Sequence, residues 1–133
     1  MLARLKTPLA GLLRAAATGA LATFPPLRWS DGAAVTVVIA SHNYPGTPRT
    51  GDPIDGLAEV AEQDAPTPTC CTPAPGAGTD GAVLSAGGRV LSVTATGADL
   101  ATARERAYRS VDRIALDGAH HRTDIAARAA AGE

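Results

Sequence analysis

The chain has 133 residues, enough for one modest domain with its own core and too few for a nucleotide-binding domain beside a substrate domain. Its 12 Lys and Arg face 13 Asp and Glu, and a net charge of −1 gives no electrostatic footing for nucleic acid or a membrane surface. Aromatics make up 3% of the chain, so a core has to come from closely packed Val, Leu, Ile and Ala.

Thr7 and Pro8 read as the cap and first position of a short amphipathic helix that carries Leu9, Leu12, Leu13 and Ala16 on one face and stops at Gly19. Arg14 breaks the apolar run that a secretory signal needs, and no stretch approaches the length of a transmembrane helix. Pro25 and Pro26 force an extended connection into Ala33–Ala40, where Val35, Val37 and Ile39 alternate with Thr36 and Val38 as in a mostly buried strand. Residues 42–52 follow as a turn-rich loop whose prolines and glycines fix a shape rather than a regular element. Residues 65–81 are Pro, Thr, Ala and Gly without apolar periodicity, the pattern of a solvated linker. Within them Cys70 and Cys71 are adjacent, so their side chains diverge and supply neither a disulfide framework nor a zinc site.

Residues 82–85 and 89–95 flank Ala86, Gly87 and Gly88 and predict a β-hairpin. Asp99 then caps a helix in which Leu100, Ala103, Ala107, Val111 and Ile114 recur at three- and four-residue steps, with Gly118 placed to stop it. Thr123 or Asp124 caps a last short helix. The sum is a single α+β unit: a small, mostly antiparallel sheet with a hairpin and packed helices.

Residues 37–56 run through an apolar strand, then Tyr44-Pro45-Gly46, then Arg49-Thr50-Gly51-Asp52, and this resembles the signature of the carboxy-terminal domain of phosphoribosylamine–glycine ligases, members of the ATP-grasp group. The blocks at residues 87–95, at Ala107-Tyr108, and at Arg122-Thr123-Asp124-Ile125 with Arg128-Ala129 agree in order and spacing. The opening Arg4 to Leu9 resembles the segment by which that family leaves its ATP-grasp domain. The resemblance therefore implies residues 1–24 as the end of an ATP-grasp domain with a linking helix, and 25–133 as the carboxy-terminal domain. It also implies ATP and magnesium or manganese in the full-length enzyme, held by residues upstream of this chain, with none bound by this piece alone. Glycine and phosphoribosylamine are the implied substrates, the missing amino-terminal and ATP-grasp domains the implied partners, and the cytoplasm the implied location. A family strand ending His-Ala-Gly-Thr is missing. In its place, residues 67–75 read either as a divergent loop or as a compensated frameshift: they match a one-base-shifted translation of codons for Asp-Ala-Tyr-Val-Leu-His-Ala-Gly-Thr, of which the first five residues are chosen to fit and the rest is the family pattern, with the paired cysteines as shifted Val-Leu codons.

For site residues the loop comes first: Pro45-Gly46 beside Tyr44 can expose backbone N–H groups, Arg49 offers a planar fork for phosphate or carboxylate, and Asp52 beside Gly51 can orient Arg49 or serve the turn. The lesser candidates are Arg89, Arg122 and Asp124, for which a strand-edge charge and a helix cap are the structural alternatives. His42, His120 and His121 lack metal-ligand spacing and read as exposed loop residues. The family usually has Gly or Glu at His42 and commonly Gly at Ala126, so neither carries a borrowed role. No catalytic residue is assigned. Two other readings stand beside this one: a non-catalytic docking or scaffold module with a related β-rich fold, and the matching domain of another ATP-grasp ligase or carboxylase. A piece of a larger ligase should expose an apolar face on the Leu9 to Ala16 helix, whereas a self-sufficient module should not.

Overall fold

The alternation of Val35, Val37 and Ile39 with polar or exposed neighbours produces strand β1 (Ala33–Ala40) as expected, buried on one face and open on the other. In the computed structural model, which describes residues 2–63, 76–77 and 81–132, β1 is one half of an antiparallel ribbon. The helix α1 spans Leu9–Ala17, α2 Leu57–Gln63, and the strands β2 Gly76–Ala77, β3 Val83–Leu84 and β4 Arg89–Gly97. Helices α3 (Leu100–Val111) and α4 (Ala127–Ala130) complete the chain. The proposed shifted segment at 67–75 lies outside the described residues.

β1 pairs with β4 in the register Val35↔Ala95, Val37↔Val93 and Ile39↔Leu91, so all six of these side chains fall on one buried face. The opposite face pairs Thr36 with Thr94, whose hydroxyls lie 2.8 Å apart, and Val38 with Ser92. α3 lies across the buried face, and its Ala103 and Ala107 are fully buried. Small side chains at those positions let the helix backbone approach the sheet closely. Asp99 caps it as predicted, its Oδ1 accepting the Thr102 N–H at 2.7 Å.

Several local expectations give way to other contacts. The predicted hairpin between residues 82–85 and 89–95 does not form: β3 pairs with β2 instead, in its own two-stranded antiparallel hairpin, while β4 pairs with β1. The Ser85 N–H donates to Asp52 O at 2.8 Å and the Ile54 N–H to Val83 O at 2.9 Å, which ties β3 to the exit of the turn-rich loop. Thr7 does not cap α1; its Oγ1 accepts the Arg28 N–H at 2.7 Å, within a short antiparallel ribbon that also joins Leu5 to Trp29. Gly118 does not stop α3, which already ends at Val111. α4 has no side-chain cap; Asp124 contributes only its backbone carbonyl, to the Ala127 N–H at 3.1 Å. α2 was not foreseen, because seven residues with one buried apolar position, Val60, carry too little periodicity to read.

Candidate functional site

The end of β1 is fixed from two sides. The Ala40 N–H donates to His120 O at 2.9 Å and the His120 N–H returns to Ala40 O at 3.0 Å, while the Ser41 N–H donates to Gly88 O at 2.9 Å. The turn-rich loop leaves from this anchored point. Asn43 takes a left-handed conformation (φ 68°), the Tyr44–Pro45 peptide is cis, and the Arg49 N–H closes back on His42 O at 3.2 Å. Tyr44, Pro45 and Gly46 form the exposed tip.

At Gly88 a Cβ would stand 2.5 Å from Tyr44 Cδ2, so a side chain there would displace the ring. The Tyr44 ring rests on the bare backbone of Gly88 and faces His120, with ring centroids 6.5 Å apart. Gly118 plays a similar part on the other side of the loop, where a Cβ would come within 2.9 Å of His42 Nδ1. Gly88 serves close packing, which sequence reading mistook for a hairpin turn, whereas Gly118, with φ 65°, is a turn position well beyond the end of α3.

Arg49 is engaged by carboxylates. Its Nε donates to Asp52 Oδ2 at 2.7 Å, and its Nη2 to Asp117 Oδ2 at 2.7 Å and to Asp117 O at 2.8 Å. The hydrogen bond to Asp52, then that to Asp117, raises its pKa further above the ordinary arginine value. The fork thus ties the loop to the turn before His120. Gly51 (φ 87°) donates its N–H to Ser85 O at 2.7 Å, and the Asp52 N–H donates to Ser85 Oγ at 3.1 Å.

The other predicted residues meet around a cavity of about 230 Å³ lined by Val38, Ala40, Tyr44, Arg89, His120, His121 and Arg122. Arg122 is held by Asp124 through two parallel bonds, Nε to Oδ1 at 2.8 Å and Nη2 to Oδ2 at 2.7 Å. Those hydrogen bonds raise the Arg122 pKa and lower that of Asp124. The segment that carries them is pinned by α3. Tyr108 donates its hydroxyl proton to Arg122 O at 2.7 Å and accepts the Ile125 N–H at 3.1 Å, and Arg104 donates to Thr123 O and Ile125 O. Arg104 also lies over the Tyr108 ring, 4.6 Å from its centroid.

The structure therefore brings Tyr44, Arg89 and Arg122 together and sets Arg49, Gly51 and Asp52 apart as the clamp behind the loop. Sequence reading missed His120, His121, Val38 and Asp117. The run His120-His121-Arg122 was the available signal for the first two; Asp117 is joined to Arg49 across 68 positions and left none. Among the described residues no group of three His, Cys, Asp or Glu side chains is arranged to hold a metal, and no helix is long and apolar enough to cross a membrane. Larger, shallower depressions lie along α3 and α4, and beside Pro53 and residues 114–118.

The comparisons with known proteins agree in direction. A phosphoribosylamine–glycine ligase from Streptomyces coelicolor is 74% identical over 98% of this chain, which spans 31% of that relative. The corresponding ligase of Mycobacterium tuberculosis is 51% identical over the whole chain, which spans 30% of it. The crystal structure of phosphoribosylamine–glycine ligase from Thermotoga maritima superimposes with a TM-score of 0.66 at 29% identity, covering 86% of this chain and 27% of that one. The chain thus spans about a third of the length of the curated relatives it matches. The family model described as phosphoribosylglycinamide synthetase, C domain, matches residues 34–128, and the chain belongs to that family.

Proposed function

We propose that this chain supplies the carboxy-terminal part of a cytoplasmic ligase that joins phosphoribosylamine to glycine with ATP hydrolysis, in de novo purine biosynthesis, and that it does not turn over alone. The observation that carries this reading is 74% identity across 98% of the chain to a protein of which the chain spans only 31%. Residues 1–24 belong in this reading to the end of the ATP-grasp domain and its linking helix, and 25–133 to the closing domain.

The reaction activates the glycine carboxylate as an acyl phosphate, which the amine of phosphoribosylamine then attacks. ATP and magnesium or manganese supply that activation in the full-length enzyme. Among the described residues no group of three His, Cys, Asp or Glu side chains is arranged to hold the metal. What this chain contributes is shape and charge at the edge of the site. Tyr44, Pro45 and Gly46 present the loop tip. Arg49, with Gly51 and Asp52, holds that tip at a fixed height through Asp117 and Ser85. Arg89 and Arg122, the latter oriented by Asp124, stand beside it on the rim of the cavity.

The partners are the amino-terminal and ATP-grasp domains, with glycine and phosphoribosylamine in the assembled enzyme; nucleic acid and membrane have no part. The scaffold alternative loses ground on one feature. Leu2 is 62% exposed and Leu13 59%, on an amino-terminal segment with few contacts to the rest of the chain. The direct test is to assay purified chain for ATP- and glycine-dependent phosphoribosylglycinamide formation. No product is expected until the remaining domains are added, and turnover by the chain alone would sink the proposal.

A further inference from the structure

We infer that the outer edge of β1, from Ala34 to Val38, is an interaction surface for a second copy of this chain, which adds its own β1 in antiparallel about a two-fold axis at Thr36; this association does not depend on the ligase reading given above.

Backbone polarity identifies the open edge. The two bonds that join Ala40 to His120 lie on the side of β1 away from β4, and the Ser41 N–H, one residue on, turns back to Gly88 O. Backbone groups alternate sides along a strand, so the odd-numbered residues of β1 bond to β4, and Ala34, Thr36 and Val38 point outward. Among the described residues β1 and β4 make a sheet by themselves, and these outward N–H and C=O groups have no partner. The opposite edge of the ribbon is guarded. There the outward residues are Ser92, Thr94 and Thr96, and Arg106 of α3 donates from Nη1 to Thr96 O at 3.1 Å, while Arg89 and a shift of register stand at the other end. Charge, proline and bulges are the devices that keep a strand edge from pairing. Between Ala33 and Ala40 the sequence has no charged residue and no proline, and its centre is Val, Thr and Ile, which favour strand pairing.

Self-complementarity selects the occupant. Antiparallel pairing centred on Thr36 sets Thr36 against Thr36 of the second copy and Ala34 against Val38 on either side, and these pairs satisfy every outward group of both strands. The open window also has the length this pairing needs. At one end His120 already fills the edge beside Ala40. At the other the chain leaves the strand at Gly32, φ 87°, packed so closely on β4 that a Cβ would stand 2.2 Å from Gly97 O. Gly32 is the residue that falls opposite Ala40, so the second copy turns off the edge where His120 begins. On the exposed face the hydroxyls of Thr36 and Thr94 lie 2.8 Å apart, and the two-fold axis extends them into a row of threonines across both ribbons. Val38 meets Ala34 on that face, and no like charges are brought together. One open edge and one guarded edge make a contact that closes as a dimer, whereas pairing of β1 on β4 would be head-to-tail and would run on into fibres.

The test is sedimentation equilibrium of the full 133-residue chain from about 5 μM to about 1 mM, with amide hydrogen exchange at both limits. The parent should follow a monomer–dimer equilibrium with Kd on the order of 100 μM, weak because the contact is short. At the upper limit the amides of Ala34, Thr36 and Val38 should exchange about fivefold more slowly than at the lower, while those of Val35, Val37 and Ile39 should be slow at both. Thr36→Lys should be monomeric throughout, since it sets two ammonium groups face to face on the axis, and Thr36→Glu likewise. An equimolar mixture of the two should dimerise at least as tightly as the parent. Thr36 is exposed, so each variant should keep the slow exchange of the odd-numbered amides that marks an intact ribbon. Leu9→Glu with Leu13→Glu, on α1, should leave the dimer unchanged. A chain monomeric at about 1 mM, or a mixture of Thr36→Lys and Thr36→Glu that fails to pair, would overturn the inference. Dimers lost in the α1 variant but kept in Thr36→Lys would overturn it in favour of the amino-terminal apolar face. Protection at Ser92 and Thr94 with growth beyond the dimer would overturn it in favour of head-to-tail pairing. Protection of Ala34, Thr36 and Val38 only when the remaining ligase domains are added would give the edge to those domains instead.

Discussion

At the scale of single residues, the roles visible in the sequence are those set by immediate neighbours. Asp99 was legible as a cap because the N–H it accepts lies three positions away. Arg49 was legible as a fork with Asp52 three positions on to orient it, as it does; Asp117, which takes the other half of that fork, reaches it through the fold. Ala126 joins both kinds of information. The resemblance places glycine there commonly, and the structure shows why: Ala126 has φ 57° and ψ 14°, a left-handed conformation in which an L side chain is crowded by its own backbone. It stands immediately before α4, whose first N–H is held by Asp124 O. Ala126→Gly removes the crowding and adds some entropy to the unfolded chain, two effects of opposite sign. The strain term is the larger, so the variant should gain about 0.5–1 kcal/mol. Chemical denaturation checks this, and a loss of stability would show that the left-handed turn is not strained.

At the scale of elements, periodicity made β1 and α3 readable, because each presents a long apolar stripe to the other. β3 was misread because Gly87 and Gly88 look like a hairpin turn, yet neither is among the residues with positive φ. Gly88 is there for the Tyr44 ring, a contact no local pattern announces. The same elements differ sharply in what they contribute to stability. Leu91 on β4 is 1% exposed at the centre of the core, while Leu13 on α1 faces solvent. Leu91→Ala should cost about 2–5 kcal/mol, the lost transfer energy plus a cavity, and that is a large share of the ~5–15 kcal/mol that holds a domain of this size. Leu13→Ala should cost less than ~0.5 kcal/mol in the isolated chain. The contrast is measured by thermal unfolding of the two variants. A large loss for Leu13→Ala would mean that α1 packs on this chain after all.

At the scale of the whole molecule, the exposed large apolar side chains are not scattered. Among the described residues Leu2, Leu9, Leu13, Leu21, Leu27 and Trp29 all belong to the amino-terminal segment, and the remaining two, Val38 and Tyr44, line the cavity. The segment closes on itself through a narrow ribbon, Lys6 N–H to Arg28 O and Ser30 N–H to Arg4 O, and meets β1 and β4 through residues 2–4. It also lies outside the residues 34–128 that the family model matches. An apolar face supported mainly by its own ribbon contributes little to folding and must gain its free energy by burial against something else. In the proposed ligase that surface is the ATP-grasp domain. Leu9→Glu with Leu13→Glu places two carboxylates on the face without touching the core, so the chain should unfold at the parent temperature. Its affinity for the separately produced remaining domains should nevertheless fall at least about a hundredfold, since burying even one unpaired carboxylate costs several kcal/mol. Sedimentation of mixtures, with the restored ligation activity followed in parallel, gives both numbers. Undiminished association by the double variant would remove α1 from the docking face and leave the closing loop as the contact to be tested.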